Sequence, residues 1–146
     1  MLGLNLLENY SLFKAAYSSF TEKVSEKYGI SKTEFDILLF LANNTQFDTA
    51  AEIVEMKHLA KSHVSVLVSR LEDAGYITRF FAAGNHKTVH IRLTDKAYPI
   101  IEEGRKAQMD FAAMLLEGIS EEQLNTTRVF VETARANVDN YLRKNG

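Results

Sequence analysis

The chain has 146 residues, 46% hydrophobic and 25% charged, with 17 Lys/Arg against 19 Asp/Glu. That size and balance fit one globular domain burying about two-thirds of its unfolded surface. The chain contains no cysteine, which excludes disulfides, thiolate ligands and thiol redox chemistry. No apolar run approaches the roughly 20 residues that span a bilayer. The start, Met1 to Tyr10, lacks a basic region and is interrupted by Glu8, so no signal peptide is expected and the protein reads as cytoplasmic.

The first helix is expected over Leu4–Tyr28. Leu6, Tyr10, Phe13, Tyr17, Phe20 and Val24 step by four and three alternately, the 3.5-residue seam of a helix packed lengthwise on another. Gly29 ends it. Ser31 with Glu34 makes a capping box for a second helix, whose apolar face carries Phe35, Leu38, Leu39 and Ala42. Thr49 with Glu52 makes another, opening a short helix to about Met56. The next helix is expected from Ala60 to Ala74, with Val64, Leu67, Val68 and Leu71 on one face, and Gly75 stops it. Ile77–Phe81 and Lys87–Leu93 then read as two strands of a hairpin around Ala82–His86. Thr94 is the expected N-cap of a long helix to about Gly118, bent near Pro99. Ser120 with Gln123 opens the last helix, where Leu124, Val131 and Val138 recur at seven with Thr127, Ala134 and Tyr141 offset by three. That is a second coiled-coil seam.

Charge is unevenly distributed. Between Met56 and Thr94 there are six Lys/Arg and two acids, leaving 11 Lys/Arg and 17 acids elsewhere. All four histidines, His58, His63, His86 and His90, fall in the basic segment. A mildly acidic chain with its positive charge on one module has the electrostatic footprint of a polyanion binder. On a helical wheel, Ser62, Val66 and Ser69 oppose the apolar face of the helix at 60–74, with His63, Ser65 and Arg70 beside them. Short, uncharged side chains let a helix backbone approach base edges in the major groove. Lys61 stands at the helix start, and Arg79, His86, Lys87 and Arg92 lie on or beside the hairpin, where a wing reaches DNA backbone or minor groove. These eleven residues are the expected contacts to double-stranded DNA.

The run SHVSVLVSRLEDAGYI from Ser62 to Ile77, with Thr78–Arg79 and Leu93–Thr94, resembles the MarR family of bacterial transcription regulators. With the flanking helices, the resemblance covers nearly the whole chain. It implies a mostly α fold with a small β-hairpin wing, a winged helix-turn-helix between N- and C-terminal dimerisation helices. The expected organisation is a single domain, 1–146, with the DNA-binding module at 31–97 and dimerisation helices at 1–28 and 98–146. The implied function is a ligand-responsive repressor, binding a pseudo-palindromic operator as a homodimer. A small aromatic or apolar effector would sit between the two parts, with Tyr10, Phe13, Tyr17, Phe40 and Phe111 as candidate lining. The chain departs from the family at Asn85–His86–Lys87, where an Asp-x-Arg pattern is usual, and at Val66, where a polar or basic residue is frequent. Lys is more strongly hydrated than Arg and enters a narrow minor groove less readily.

Other function classes fit less well. The sequence has no glycine-rich phosphate loop or metalloprotease pattern, so neither an enzyme nor a cofactor is expected. A zinc-responsive regulator is one alternative, but His86 and His90, four apart along a strand, are separated by roughly 13 Å. A winged helix that docks a protein partner without an effector is the other. DNA binding with a steep salt dependence separates it from the main reading.

Overall fold

The computed structural model describes residues 5–146, apart from the side chains of Leu6 and Leu7. The expected helix start at Leu4 and the side chain of the seam residue Leu6 lie outside the described residues. The chain divides into two compact units, one ending at Phe111 and one spanning Ala112–Gly146. Helices α1 (Leu6–Lys27), α2 (Lys32–Asn43), α3 (Ala50–Lys57) and α4 (Lys61–Asp73) belong to the first. So do strands β1 (Ile77–Phe81) and β2 (Val89–Leu93) and most of α5 (Tyr98–Leu116). The second unit holds the end of α5 and the whole of α6 (Glu121–Asn145). No described helix is long and apolar enough to cross a membrane.

Local chemistry sets most helix starts. Ser31 and Glu34, Thr49 and Glu52, and Ser120 and Gln123 each form both halves of a capping box, satisfying donors that a helix start otherwise leaves open. Gly29, at φ +64, lets the chain leave α1 in the left-handed region, with Ile30 N–H donating back to Ser25 O at 3.1 Å.

The core of the first unit joins α2, α3, α4, the hairpin and α5. Phe35, Ile37 and Leu38 of α2 meet Ile53, Val64, Leu71, Ile77 and the α5 pair Ile100 and Ile101, all at or below 1% exposure. Burial of each such side chain contributes about 1.5–3 kcal/mol. At the crossing of α2 and α5, a Cβ on Gly104 would lie 2.8 Å from Leu39 Cδ2 and 2.9 Å from Phe35 Cζ. Only glycine lets these helices approach so closely.

The hairpin is antiparallel, in register from Ile77 opposite Leu93 to Phe81 opposite Val89. Its second strand begins two residues later than the expected Lys87. Asn85 Oδ1 accepts from the N–H groups of Lys87 (2.9 Å) and Thr88 (3.4 Å), so those donors serve the turn instead of the ladder. An isolated bridge joins Thr49 to His90, and Ile91 N–H donates to Asp48 O at 2.6 Å. This ties the wing to the start of α3.

The start of α5 also differs from expectation. Thr94 makes no side-chain cap; its hydroxyl donates to Gly75 O at 2.6 Å. A 3₁₀ turn, Asp95–Ala97, intervenes and α5 begins at Tyr98. Pro99 therefore occupies the first turn, where an N–H would have no intrahelical partner, and not a bend within a longer helix.

Candidate nucleic-acid interface

Helices α3 and α4 form the helix-turn-helix. His58 makes the turn at φ 51, the only non-glycine with positive φ among the described residues, and Leu59 N–H returns to Val54 O at 3.3 Å. Histidine tolerates this region better than most residues. Sequence reading missed the feature, since the usual signal there is glycine.

Helix α4 buries Val64, Leu67, Val68 and Leu71 and exposes Lys61, Ser62, His63, Ser65, Val66 and Arg70, with Ser69 half-buried. Its outer face is therefore short at the centre and cationic at the ends. Ala60, its N-cap, supplies no side-chain hydrogen bond, unlike the boxed starts of α2, α3 and α6. The first-turn N–H groups of α4 stay open, and the positive end of a helix dipole favours a phosphate. Sequence reading also passed over this. The missing Ser, Thr, Asp or Asn at position 60 was the available signal.

The wing's cations are not equivalent. Arg79 is engaged by Glu72, with Nε at 2.8 Å and Nη2 at 2.5 Å from Oε2. This hydrogen-bonded pairing lowers the carboxyl pKa of Glu72 and raises that of Arg79. The Arg92 guanidinium lies over the Phe80 ring at 4.6 Å. Lys87 is exposed in the wing loop, and His86 there sits 5.6 Å from Phe81 between ring centroids. Among the described residues, Lys61, Arg70 and Lys87 enter no ion pair.

The histidines do not converge. His90 is held to Asp48 by Nδ1–Oδ1 at 2.7 Å and stacks on Phe80 at 5.5 Å, on the face that also carries Arg92. His58, His63 and His86 are exposed on three other segments. Among the described residues no group of three or more His, Cys, Asp or Glu side chains is placed to hold a metal ion.

Two clefts accompany this surface. One, of about 380 Å³, lies within the reader itself, with Val54, Val64, Val68, Val89 and Ile91 as its apolar lining and Lys61, Ser65 and Arg79 beside them. The other, of about 170 Å³, is lined by Tyr17, Asp36, Leu39, Phe40, Asn43, Asn44, Lys57 and Gln108. It brings together only Tyr17 and Phe40 of the five expected pocket aromatics. Phe111 packs edge-on against Tyr17 and Phe20 at 5.4 and 5.9 Å, while Tyr10 and Phe13 stay 63% and 50% exposed. Most polar groups in this cleft are matched. Gln108 donates to the Tyr17 hydroxyl at 2.9 Å and accepts from Asn43 at 3.3 Å, and Asn44 donates to Phe40 O at 2.9 Å. Asp36 is the exception: burial raises its carboxyl pKa, although Lys57, Lys32 and Lys14 pull it down.

Residues 28–86, the span holding the helix-turn-helix and the first part of the wing, match the profile of the MarR family. Over this span the chain is similar to the MarR family. Members of the family are transcription regulators, not enzymes. The chain is 29% identical over 112 residues to the HTH-type transcriptional regulator PecS of Dickeya dadantii, covering 75% of this chain and 68% of PecS. Among solved structures, it resembles a MarR family protein from Bacillus stearothermophilus at 26% identity and a TM-score of 0.68, over 95% of this chain and 99% of that one. It shares its fold with a putative MarR family regulator from Listeria monocytogenes, solved in complex with a 26mer DNA. That match has a TM-score of 0.81 and 19% identity, over 94% and 91% of the two chains.

Proposed function

We propose that this chain is a MarR-family regulator, a sequence-specific DNA-binding repressor that works as a homodimer on a pseudo-palindromic operator and is released by a small polar ligand. The observation that carries the DNA reading is the outer face of α4. Four short residues, Ser62, Ser65, Val66 and Ser69, stand between Lys61 at one end and Arg70 at the other. A surface of that shape fits a major groove, with hydroxyls for base edges and cations for phosphates. His63 flanks the groove-facing residues, while Arg79, His86, Lys87 and Arg92 contribute from the wing. The Listeria structure, solved with DNA, supports the same reading by its shared fold.

Helix α6 supports dimerisation. None of its 25 residues is buried, and Phe130, Val131, Val138 and Tyr141 are each more than 50% exposed. A helix that buries nothing has little tertiary stabilisation, and its coiled-coil seam supplies a face for a second copy. Tyr10, Leu12 and Phe13 of α1 add exposed apolar surface. Two-fold closure is the commonest solution for such faces, and it sets two recognition helices about 10 bp apart on DNA.

The cleft around Asp36 supports ligand response. Its small size and polar lining argue for a compact ligand with an N–H or cationic donor for the carboxylate, in place of the apolar effector that the family resemblance implies. Lys57 lies in this cleft at the end of α3, so a ligand touching it would act on the helix-turn-helix directly.

The test is selection of duplexes from a randomised pool by the wild-type chain, followed by titration of an enriched and a scrambled duplex. Enrichment of a two-fold-related motif is expected. Binding of an acidic protein with no duplex enriched would favour the protein-docking alternative.

A further inference from the structure

One carboxylate joins the wing's first strand to the recognition helix. Glu72, in the last turn of α4, accepts from the backbone N–H of Arg79 at Oε1 (3.0 Å) and from Nε and Nη2 of the same residue at Oε2. Three donors of a single residue converge on one side chain. Main chain and side chain of Arg79 are therefore fixed together relative to α4.

The pair is partly open to solvent, with the Glu72 and Arg79 side chains 31% and 40% exposed. Exposed ion pairs add little to stability, so the consequences of this one lie elsewhere. The Nε edge of the guanidinium is occupied, which leaves Nη1 and one Nη2 hydrogen to face outward. A carboxylate also stands seven residues on from Ser65, on the same side of α4, where it repels any nucleic-acid backbone that passes close. Arg79 lies beside Ser65 and Lys61 around the cleft within the reader. On the other face of the hairpin, the His90–Asp48 pair and Arg92 over Phe80 hold the second strand.

Resting on the DNA reading above, we propose that Glu72 is a positioning residue for sequence selectivity. It holds the wing at a fixed distance from α4 and keeps Arg79 from indiscriminate pairing with phosphates, so full affinity requires a duplex that fits both elements at once. Arginine forms forked bonds to carboxylate and phosphate alike. Without Glu72, its side chain is free to follow any phosphate.

Two variants separate geometry from charge. Glu72→Gln keeps the length and an accepting oxygen but loses the charge; Glu72→Asp keeps the charge and shortens the reach. Affinities are measured at one salt concentration for a duplex selected by the wild-type chain and for a random duplex of equal length. Positioning predicts that both variants lose selectivity, the ratio of the two affinities falling about three- to fivefold, the scale of one exposed ion pair. If Glu72→Gln tightens both duplexes by one factor and Glu72→Asp changes neither, Glu72 acts only as a charge and the proposal is overturned. Amide hydrogen exchange in the DNA-free protein gives an independent readout. Exchange at the Arg79 N–H should accelerate in both variants while the thermal transition stays cooperative. Unchanged exchange there overturns the clamp whether or not DNA binds, whereas wild-type failure on every duplex overturns only the DNA reading.

Discussion

On the proposed DNA reading, Val66 and the serines around it let α4 come close to base edges, whereas the cations at its ends reach for phosphates. The two groups should respond differently to truncation. Replacing Ser65 with Ala is expected to change preference at one base pair per half-site by about 1–3 kcal/mol. Ser69 is half-buried, so its substitution should show a smaller effect. Arg70→Ala should weaken all duplexes alike and reduce the salt slope by about one per protomer. Equal losses on selected and random DNA for Ser65→Ala and Arg70→Ala would show that the division is wrong.

Two acids of the scaffold give opposite pH signatures. The Glu103 carboxylate accepts from Lys27 Nζ at 2.5 Å and Tyr28 Oη at 2.8 Å, and the Lys27 bond chiefly lowers its pKa. Its contribution to stability is present above the unfolded carboxyl pKa and is lost as pH falls through the depressed folded value. Asp36 is shifted upward by burial. Its contribution is complete below the unfolded pKa and is lost as pH rises through the folded value. Glu103→Gln should therefore destabilise the protein at pH 7, and Asp36→Asn should stabilise it. Both differences should shrink towards pH 3, as read from urea unfolding midpoints. Shifts of equal size at the two pH values would contradict these assignments.

At the scale of elements, what the sequence made legible was local. Capping boxes at Ser31, Thr49 and Ser120 lie within four residues, and the apolar spacing of α4 gave its buried face without any tertiary information. The remainder depends on contacts between distant segments or on an unusual backbone. The left-handed turn at His58 has no glycine to announce it. Asn85 takes the N–H donors of Lys87 and Thr88, so β2 starts only at Val89. The Glu72–Arg79 clamp needs the hairpin folded back on α4. Gly104 reads as a weak point in a helix, yet it marks the crossing with Leu39 and Phe35. Gly104→Ala should gain about 1 kcal/mol of helix propensity and lose about 1–3 kcal/mol to overpacking in a filled core. Net destabilisation is expected by thermal or urea unfolding; a higher midpoint would mean that Leu39 and Phe35 yield without strain. The α4 residues proposed to contact DNA lie on one face that the sequence spacing marks out. Sequence alone did not distinguish Arg79, engaged by Glu72 of α4, and Arg92, engaged by Phe80 within the wing, from Lys61 and Arg70.

For the whole molecule, the proposal of a homodimer follows from apolar surface that the described chain does not bury. Val138→Asp places a charge on the exposed seam of α6 and should shift sedimentation at micromolar concentration from dimer towards a less stable monomer. A wild-type chain that sediments as a folded monomer would remove both the dimer and the two-fold operator. The most direct test of the central claim is the salt dependence of binding to a selected pseudo-palindromic duplex, titrated beside a scrambled one. With Lys61, Arg70 and Lys87 of two protomers at phosphates, log affinity should fall against log salt with a slope of about −5. The selected duplex should also bind at least about 10³-fold tighter than the scrambled one. Equal affinity for the two duplexes with a slope near zero would contradict the account.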